Sequence, residues 1–84
     1  MRMTVLILGL GLIGASLAKT LKKNTAHRVL GWNRTPSVAQ RALADGAIDA
    51  TGSLEELLPQ ADITIINFYP EAIVPFILEH KDLF

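Results

Sequence analysis

Apolar positions along this chain follow two periods, and the period switches where glycine or proline intervenes. Thr4-Val5-Leu6-Ile7-Leu8 runs apolar without interruption and stops at Gly9. With no polar alternation, it predicts a strand covered on both faces, as in a parallel sheet. From Leu12 to Lys23 the spacing lengthens: Ile13, Leu17 and Leu21 recur every four residues, with Gly14 and Ala18 on an adjoining stripe. That pattern predicts a helix with a small-residue packing face. Lys19, Lys22 and Lys23 near its end suit the negative pole of the helix dipole.

His27 to Trp32 reads as a second short strand. Thr35-Pro36 then opens a helix, with Thr as a cap and Pro at the first helical position. Val38, Ala39, Ala42 and Leu43 form its apolar side, and Gly46 ends it. Residues 47–50 read as a third, minimal strand. Ser53-Leu54-Glu55-Glu56 is a capping box that starts a short helix stopped by Pro59. Asp62 to Asn67, β-branched and apolar, is the fourth strand, and Pro70 opens a last helix. Pro75 fits if that helix begins near Ala72 and predicts a kink otherwise. The order βαβαβαβα with short connections predicts an α/β fold: a partial doubly wound parallel sheet, strand order 3-2-1-4, with helices on both faces. There is no internal repeat, linker or low-complexity segment.

Composition narrows the function classes. Half of the 84 residues are apolar and 19% are charged, which suits a packed core and excludes a disordered chain. Acids and bases balance at eight each, so no whole-chain field attracts nucleic acid or an anionic membrane. The absence of cysteine excludes disulfides, thiolate catalysis and thiolate-bound metal, and fits a cytoplasmic protein. The apolar N-terminus has the outline of a signal peptide, but three glycines weaken it and a buried strand accounts for it better. The apolar run is also too short to span a bilayer. No His, Asp or Glu spacing makes a metal site.

The chemistry lies in G-L-G-L-I-G, residues 9–14, which follows an apolar strand and opens a helix. In that setting the G-x-G-x-x-G pattern reads as a Rossmann-type dinucleotide site. Gly9 permits the tight turn, Gly11 lets a pyrophosphate approach the backbone, and Gly14 brings the helix close. The amides of Leu12 and Ile13, with the helix dipole behind them, are placed to hold phosphate. At the end of the second strand, where an acid would bind the ribose hydroxyls, stand Asn33, Arg34 and Thr35. An amide removes the repulsion of a 2′-phosphate, and a guanidinium grips it or stacks on adenine. The expected cofactor is therefore NADP rather than NAD. Asn67, Phe68 and Tyr69 follow the fourth strand at its carboxyl end, where open α/β sheets bind ligands, and are further cofactor-contact candidates. His27 and His80 read as surface residues, and Trp32 as core or edge packing. No catalytic residue is identified.

Taken together, I-L-G-L-G-L-I-G-A-S-L-A (residues 7–18), G-W-N-R-T, D-G-A-I-D, the S-L-E-E capping box and A-D-I-T-I-I-N resemble the N-terminal NAD(P)-binding portion of prephenate dehydrogenases. The likeness covers nearly the whole chain, and G-L-G-L-I-G-A-S-L carries it most specifically. The N-R-T ending is shared with 6-phosphogluconate dehydrogenase-like enzymes. Asn33 departs from the Asp that many prephenate dehydrogenases carry, and N-F-Y-P departs from their small-residue loop.

The resemblance implies oxidative decarboxylation of prephenate to 4-hydroxyphenylpyruvate, in tyrosine biosynthesis. It also implies that residues 1–84 are the first part of a dinucleotide-binding domain. The nicotinamide half, the catalytic histidine and the helical substrate and dimerisation domain would lie elsewhere, so this chain alone is expected to be inactive. The alternatives are the N-terminal unit of another NADP-dependent reductase, of hydroxyacid or imine type, and a stand-alone nucleotide-binding module. The apolar edge at 63–67 is expected to pair two copies in a homodimer.

Overall fold

The computed structural model describes residues 2–84. Its elements are β1 (Thr4–Leu8), α1 (Leu12–Asn24), β2 (Arg28–Trp32), α2 (Pro36–Ala44), β3 (Ala50–Thr51), α3 (Leu54–Leu57) with a 3-10 turn at Leu58–Gln60, β4 (Ile63–Ile66) and α4 (Pro70–Glu79). The four strands form one parallel sheet in the order β3-β2-β1-β4, as the sequence predicts.

Alternation within β1 sorts the core into two layers, because successive strand side chains point to opposite faces. Val5 and Ile7 join Val29, Ala18, Ala39 and Ala42 on the α1/α2 side. Leu6 and Leu8 join Leu30, Leu54, Leu57 and Phe76 on the α3/α4 side. Leu6, Ile7 and Leu8 are fully buried, at about 1.5–3 kcal/mol of hydrophobic stabilisation for each large side chain. That is why this run carries no polar position.

The amino ends of the strands are tied by a repeated exchange. Thr4 donates its N–H to Asp62 Oδ2 at 2.8 Å, and Asp62 N–H returns to the Thr4 carbonyl at 2.8 Å. Val29 and Asp49 make the same pair of bonds at 2.8 and 2.7 Å. In each case the aspartate precedes its own strand and fixes the register of the neighbouring one.

Several expectations change. On α1 the buried stripe is Gly14 and Ala18, with Leu17 and Leu21 packed beside it, while Ile13 is 74% exposed. Ala47 and Ile48 are buried, but as loop residues plugging the α1/α2 layer; the third strand is Ala50–Thr51. Leu43 lies at the edge of α2, with only Ala39 and Ala42 fully covered. Pro59 sits inside the 3-10 turn. The last helix starts at Pro70, so Pro75 falls in its second turn, and the Glu71 carbonyl has no N–H four residues on. His27 is half-buried and accepts the Met3 N–H on Nδ1 at 3.0 Å. His80 ends α4 with its ring 4.5 Å from that of Phe76, not as a free solvated tail.

Candidate functional site

The carboxyl ends of β1, β2 and β4 meet at the glycine motif, and its three glycines differ in what surrounds them. Gly9 turns the chain with φ +99°, and a Cβ there would lie 2.6 Å from the Asn67 carbonyl oxygen. A Cβ on Gly14 would lie 2.1 Å from the Gly9 carbonyl oxygen. Packing alone therefore demands both glycines. Gly11 is the opposite case, since a Cβ there meets nothing within 4 Å. Nothing in the folded chain needs this position bare. It opens onto a cleft of about 440 Å³ bounded by Gly11, Leu12, Ile13, Asn67, Phe68, Tyr69 and Pro70.

Gly11 is also the N-cap of α1, and no side chain caps that helix. The first-turn amides of Leu12, Ile13 and Gly14 thus lack an intrahelical acceptor, and the helix dipole places partial positive charge at the same point. Leu12 and Ile13 hold their side chains 88% and 74% exposed beside it. Tyr69, the N-cap of α4, is 80% exposed on the far side of the cleft. An extended, anionic, backbone-gripping ligand fits this corner.

Two asparagines hold the corner in shape. Asn33 Oδ1 accepts the Leu10 N–H at 2.8 Å. Its Nδ2 donates to the Thr35 carbonyl at 3.3 Å. The oxygen and the nitrogen of the amide are each engaged within the chain, the nitrogen through one of its two hydrogens. Asn67 Nδ2 donates to the Gly9 carbonyl at 3.3 Å, and the Asn67 N–H continues the β4 ladder to Leu8 at 2.8 Å.

Arg34, Asn33 and Thr35 do not gather in one pocket. The Arg34 guanidinium lies 6.0 Å from the Phe76 ring centroid, on a groove shared with Trp32, Glu79 and His80. Asn33 lines a different groove with Trp32, Pro36, Ala39, Gln40, Thr51 and Gly52. Thr35 is the N-cap of α2, but its hydroxyl makes no capping bond and the residue is exposed. Trp32 separates the two grooves and stacks edge-on to Phe68 and tilted on Phe76, at centroid distances of 6.4 and 5.5 Å. Phe68 is half-buried beneath Gly9 and meets Phe76 at 4.9 Å.

Two features are not marked by the sequence motifs: Leu10, whose amide is bound by Asn33, and the Thr51-Gly52 edge of the second groove. Thr51-Gly52 stands at the carboxyl end of a strand, which is the available signal. Among the described residues no cluster of His, Cys, Asp or Glu suits a metal ion. Asp49, whose carboxyl the Lys22 ammonium and then the Val29 amide hold below the usual range, stands at the opposite, amino end of the strands.

Comparison with known proteins agrees with this geometry. Residues 1–72 match the family described as D-isomer specific 2-hydroxyacid dehydrogenase, NAD binding domain. A D-lactate dehydrogenase of Streptococcus agalactiae is 34% identical over 70 residues, 83% of this chain and 20% of the relative. The solved arogenate dehydrogenase of Synechocystis superposes with a TM-score of 0.82 at 32% identity, over 92% of this chain and 27% of that one. An imine reductase of Bacillus cereus superposes with a TM-score of 0.76 at 28% identity, over 96% and 27% of the two chains. The chain thus spans about a fifth of the curated relative and about a quarter of the solved structures.

Proposed function

The chain belongs to the D-isomer specific 2-hydroxyacid dehydrogenase NAD-binding domain family, and from that premise we propose that it supplies the adenosine-diphosphate-binding part of an NADP-dependent oxidoreductase. The observation that carries this reading is Gly11: bare, opening on a cleft, and set on the uncapped amino end of α1. The amides of Gly11, Leu12 and Ile13 would hold the diphosphate, and Gly9 and Gly14 shape the turn that presents them. Asn67, Phe68 and Tyr69 line the same cleft, where the chain leaves β4 toward the ligand.

NADP over NAD rests on two features of the β2 end. Asn33 brings no negative charge where a carboxylate would repel a 2′-phosphate. The Arg34 guanidinium, parked over Phe76 with no carboxylate partner among the described residues, is free to swing to a phosphate or lie on adenine. Thr35 adds an exposed hydroxyl at the start of α2.

For the parent reaction we favour the prephenate and arogenate dehydrogenase class, on the likeness to the Synechocystis enzyme and on the G-L-G-L-I-G-A-S-L run. Its chemistry is oxidative decarboxylation, with the nicotinamide taking up a hydride. The groups that act on substrate would lie outside these four strands, so residues 1–84 form the first part of the domain. A 2-hydroxyacid reductase is the second reading, favoured by the family match and the D-lactate dehydrogenase likeness. The exposed β4 edge, with Ile63 42% accessible, supports pairing of two copies through residues 63–67; sedimentation showing only monomer at high concentration would count against it.

Calorimetric titration of the chain and of Arg34→Ala with NADP, NAD and 2′,5′-ADP tests the cofactor assignment. The expected result is 2′,5′-ADP binding at least tenfold tighter than 5′-AMP, with the advantage lost in Arg34→Ala. Equal binding of the two would remove Arg34 from the 2′-phosphate role.

A further inference from the structure

We infer that Asn33 and Asn67 act as paired positioning residues, holding the glycine corner in its ligand-ready shape from the two flanking strands. This rests on the reading that the corner takes a diphosphate. It departs from the simpler assignment in which Asn33 touches the ribose directly.

An open loop is costly to order. Between β1 and α1 the chain runs through Gly9, Leu10 and Gly11, and two of these lack a side chain to pin them. A flexible turn would lose affinity, because ordering it on binding costs conformational entropy. Each of the first two residues is held by a side chain from a neighbouring strand end. Asn33, just beyond β2, takes the Leu10 N–H at 2.8 Å. Asn67, just beyond β4, gives a hydrogen bond to the Gly9 carbonyl at 3.3 Å. One strand end supplies an acceptor and the other a donor, as the loop requires. The asparagine amide carries both functions, an oxygen that accepts and an NH2 that donates.

Two further contacts tighten the corner. The Gly9 N–H donates to the Trp32 carbonyl at 2.7 Å, and the Leu10 side chain is buried in the α1/α2 layer. A Cβ on Gly14 would also fall 2.9 Å from Asn67 Nδ2, so loop, helix and β4 converge on that amide. The Asn33 amide is anchored at its other end to the Thr35 carbonyl, which couples the corner to the start of α2.

The two roles for Asn33 separate with a ligand that lacks the ribose 2′ group. The ¹⁵N-labelled 84-residue chain is titrated with ADP and with 2′-deoxy-ADP by NMR, as wild type, Asn33→Ala, Asn33→Asp and Asn67→Ala. Amide exchange at Leu10 is followed in parallel. Positioning predicts that Asn33→Ala weakens ADP and 2′-deoxy-ADP equally, about three- to tenfold for one hydrogen bond, and speeds Leu10 exchange by at least as much. Asn33→Asp, which keeps the acceptor, restores Leu10 protection and most of the 2′-deoxy-ADP affinity. Asn67→Ala weakens both ligands by a similar factor.

If Asn33→Ala binds 2′-deoxy-ADP as tightly as wild type and Leu10 exchange is unchanged, Asn33 is not a clamp and the inference is wrong. Should Asn33→Ala fail to fold, Asn33→Asp carries the decision, since loss of Leu10 protection there overturns the acceptor role. Wild type binding neither nucleotide would instead sink the diphosphate reading, leaving the clamp to be judged on Leu10 exchange alone.

Discussion

Gly11 and Gly14 are three positions apart in one motif, yet alanine at each would fail for different reasons. At Gly14 the new methyl would collide with a backbone oxygen at 2.1 Å, which cannot give way as a side-chain tip can. Gly14→Ala is expected to cost at least about 1–3 kcal/mol of stability, read as a lowered denaturant midpoint. At Gly11 the methyl meets only open space. Gly11→Ala should leave stability within about 0.5 kcal/mol of wild type while weakening ADP binding at least tenfold, if the proposed approach of a diphosphate to that backbone holds. The motif was legible in the sequence, as was the need for a turn, an approach and a close contact. Which partner each glycine faces was not, because Asn67 is 53 positions from Gly14 and only the β1–β4 pairing brings them together.

Between elements, one side chain joins three of them. Asp49 receives the Lys22 ammonium from α1 and the Val29 amide from β2 while leading into β3. These contacts hold its carboxyl below the ordinary range, with the Lys22 bond the larger cause. A lowered folded value means the contribution is fully present above the ordinary aspartate value of about 3.9. It is lost as pH falls below that toward the folded value. Acid titration of the melting temperature should therefore fall more steeply below about pH 4 for wild type than for Asp49→Asn.

The elements themselves were read correctly where pattern and punctuation agreed. The Ser53 capping box is present with both of its bonds, Glu56 N–H to Ser53 Oγ at 3.2 Å and Ser53 N–H to Glu56 Oε1 at 3.0 Å. Reading failed where burial and strand geometry part company, as at Ala47 and Ile48, which are as buried as strand residues while belonging to a loop. In α4, Pro75 is exposed and lacks the N–H that Glu71 would receive. Pro75→Ala should raise stability, by up to about 3 kcal/mol, measurable by chemical denaturation.

At the scale of the whole molecule, β1 is the keel: it is paired on both sides, buried in both layers, and ends at the glycine corner proposed to bind the diphosphate. Later elements cover that strand or bring residues to its carboxyl end, including Asn33 beyond β2, Asn67 beyond β4 and Phe68 beneath Gly9. The fold class was readable because periodicity encodes the layers. The orientation of Arg34 was not, because a long exposed side chain is placed by Phe76, a residue on another element.

The most direct test of the account is a structure-resolved titration of the chain with ADP, following the backbone amides of Gly11, Leu12 and Ile13. Saturable shifts centred on these three amides are expected, with Gly11→Ala needing at least tenfold more ADP to produce them in a chain that remains folded. Shifts confined to another surface, or unchanged amides at the corner under saturating ADP, would contradict it.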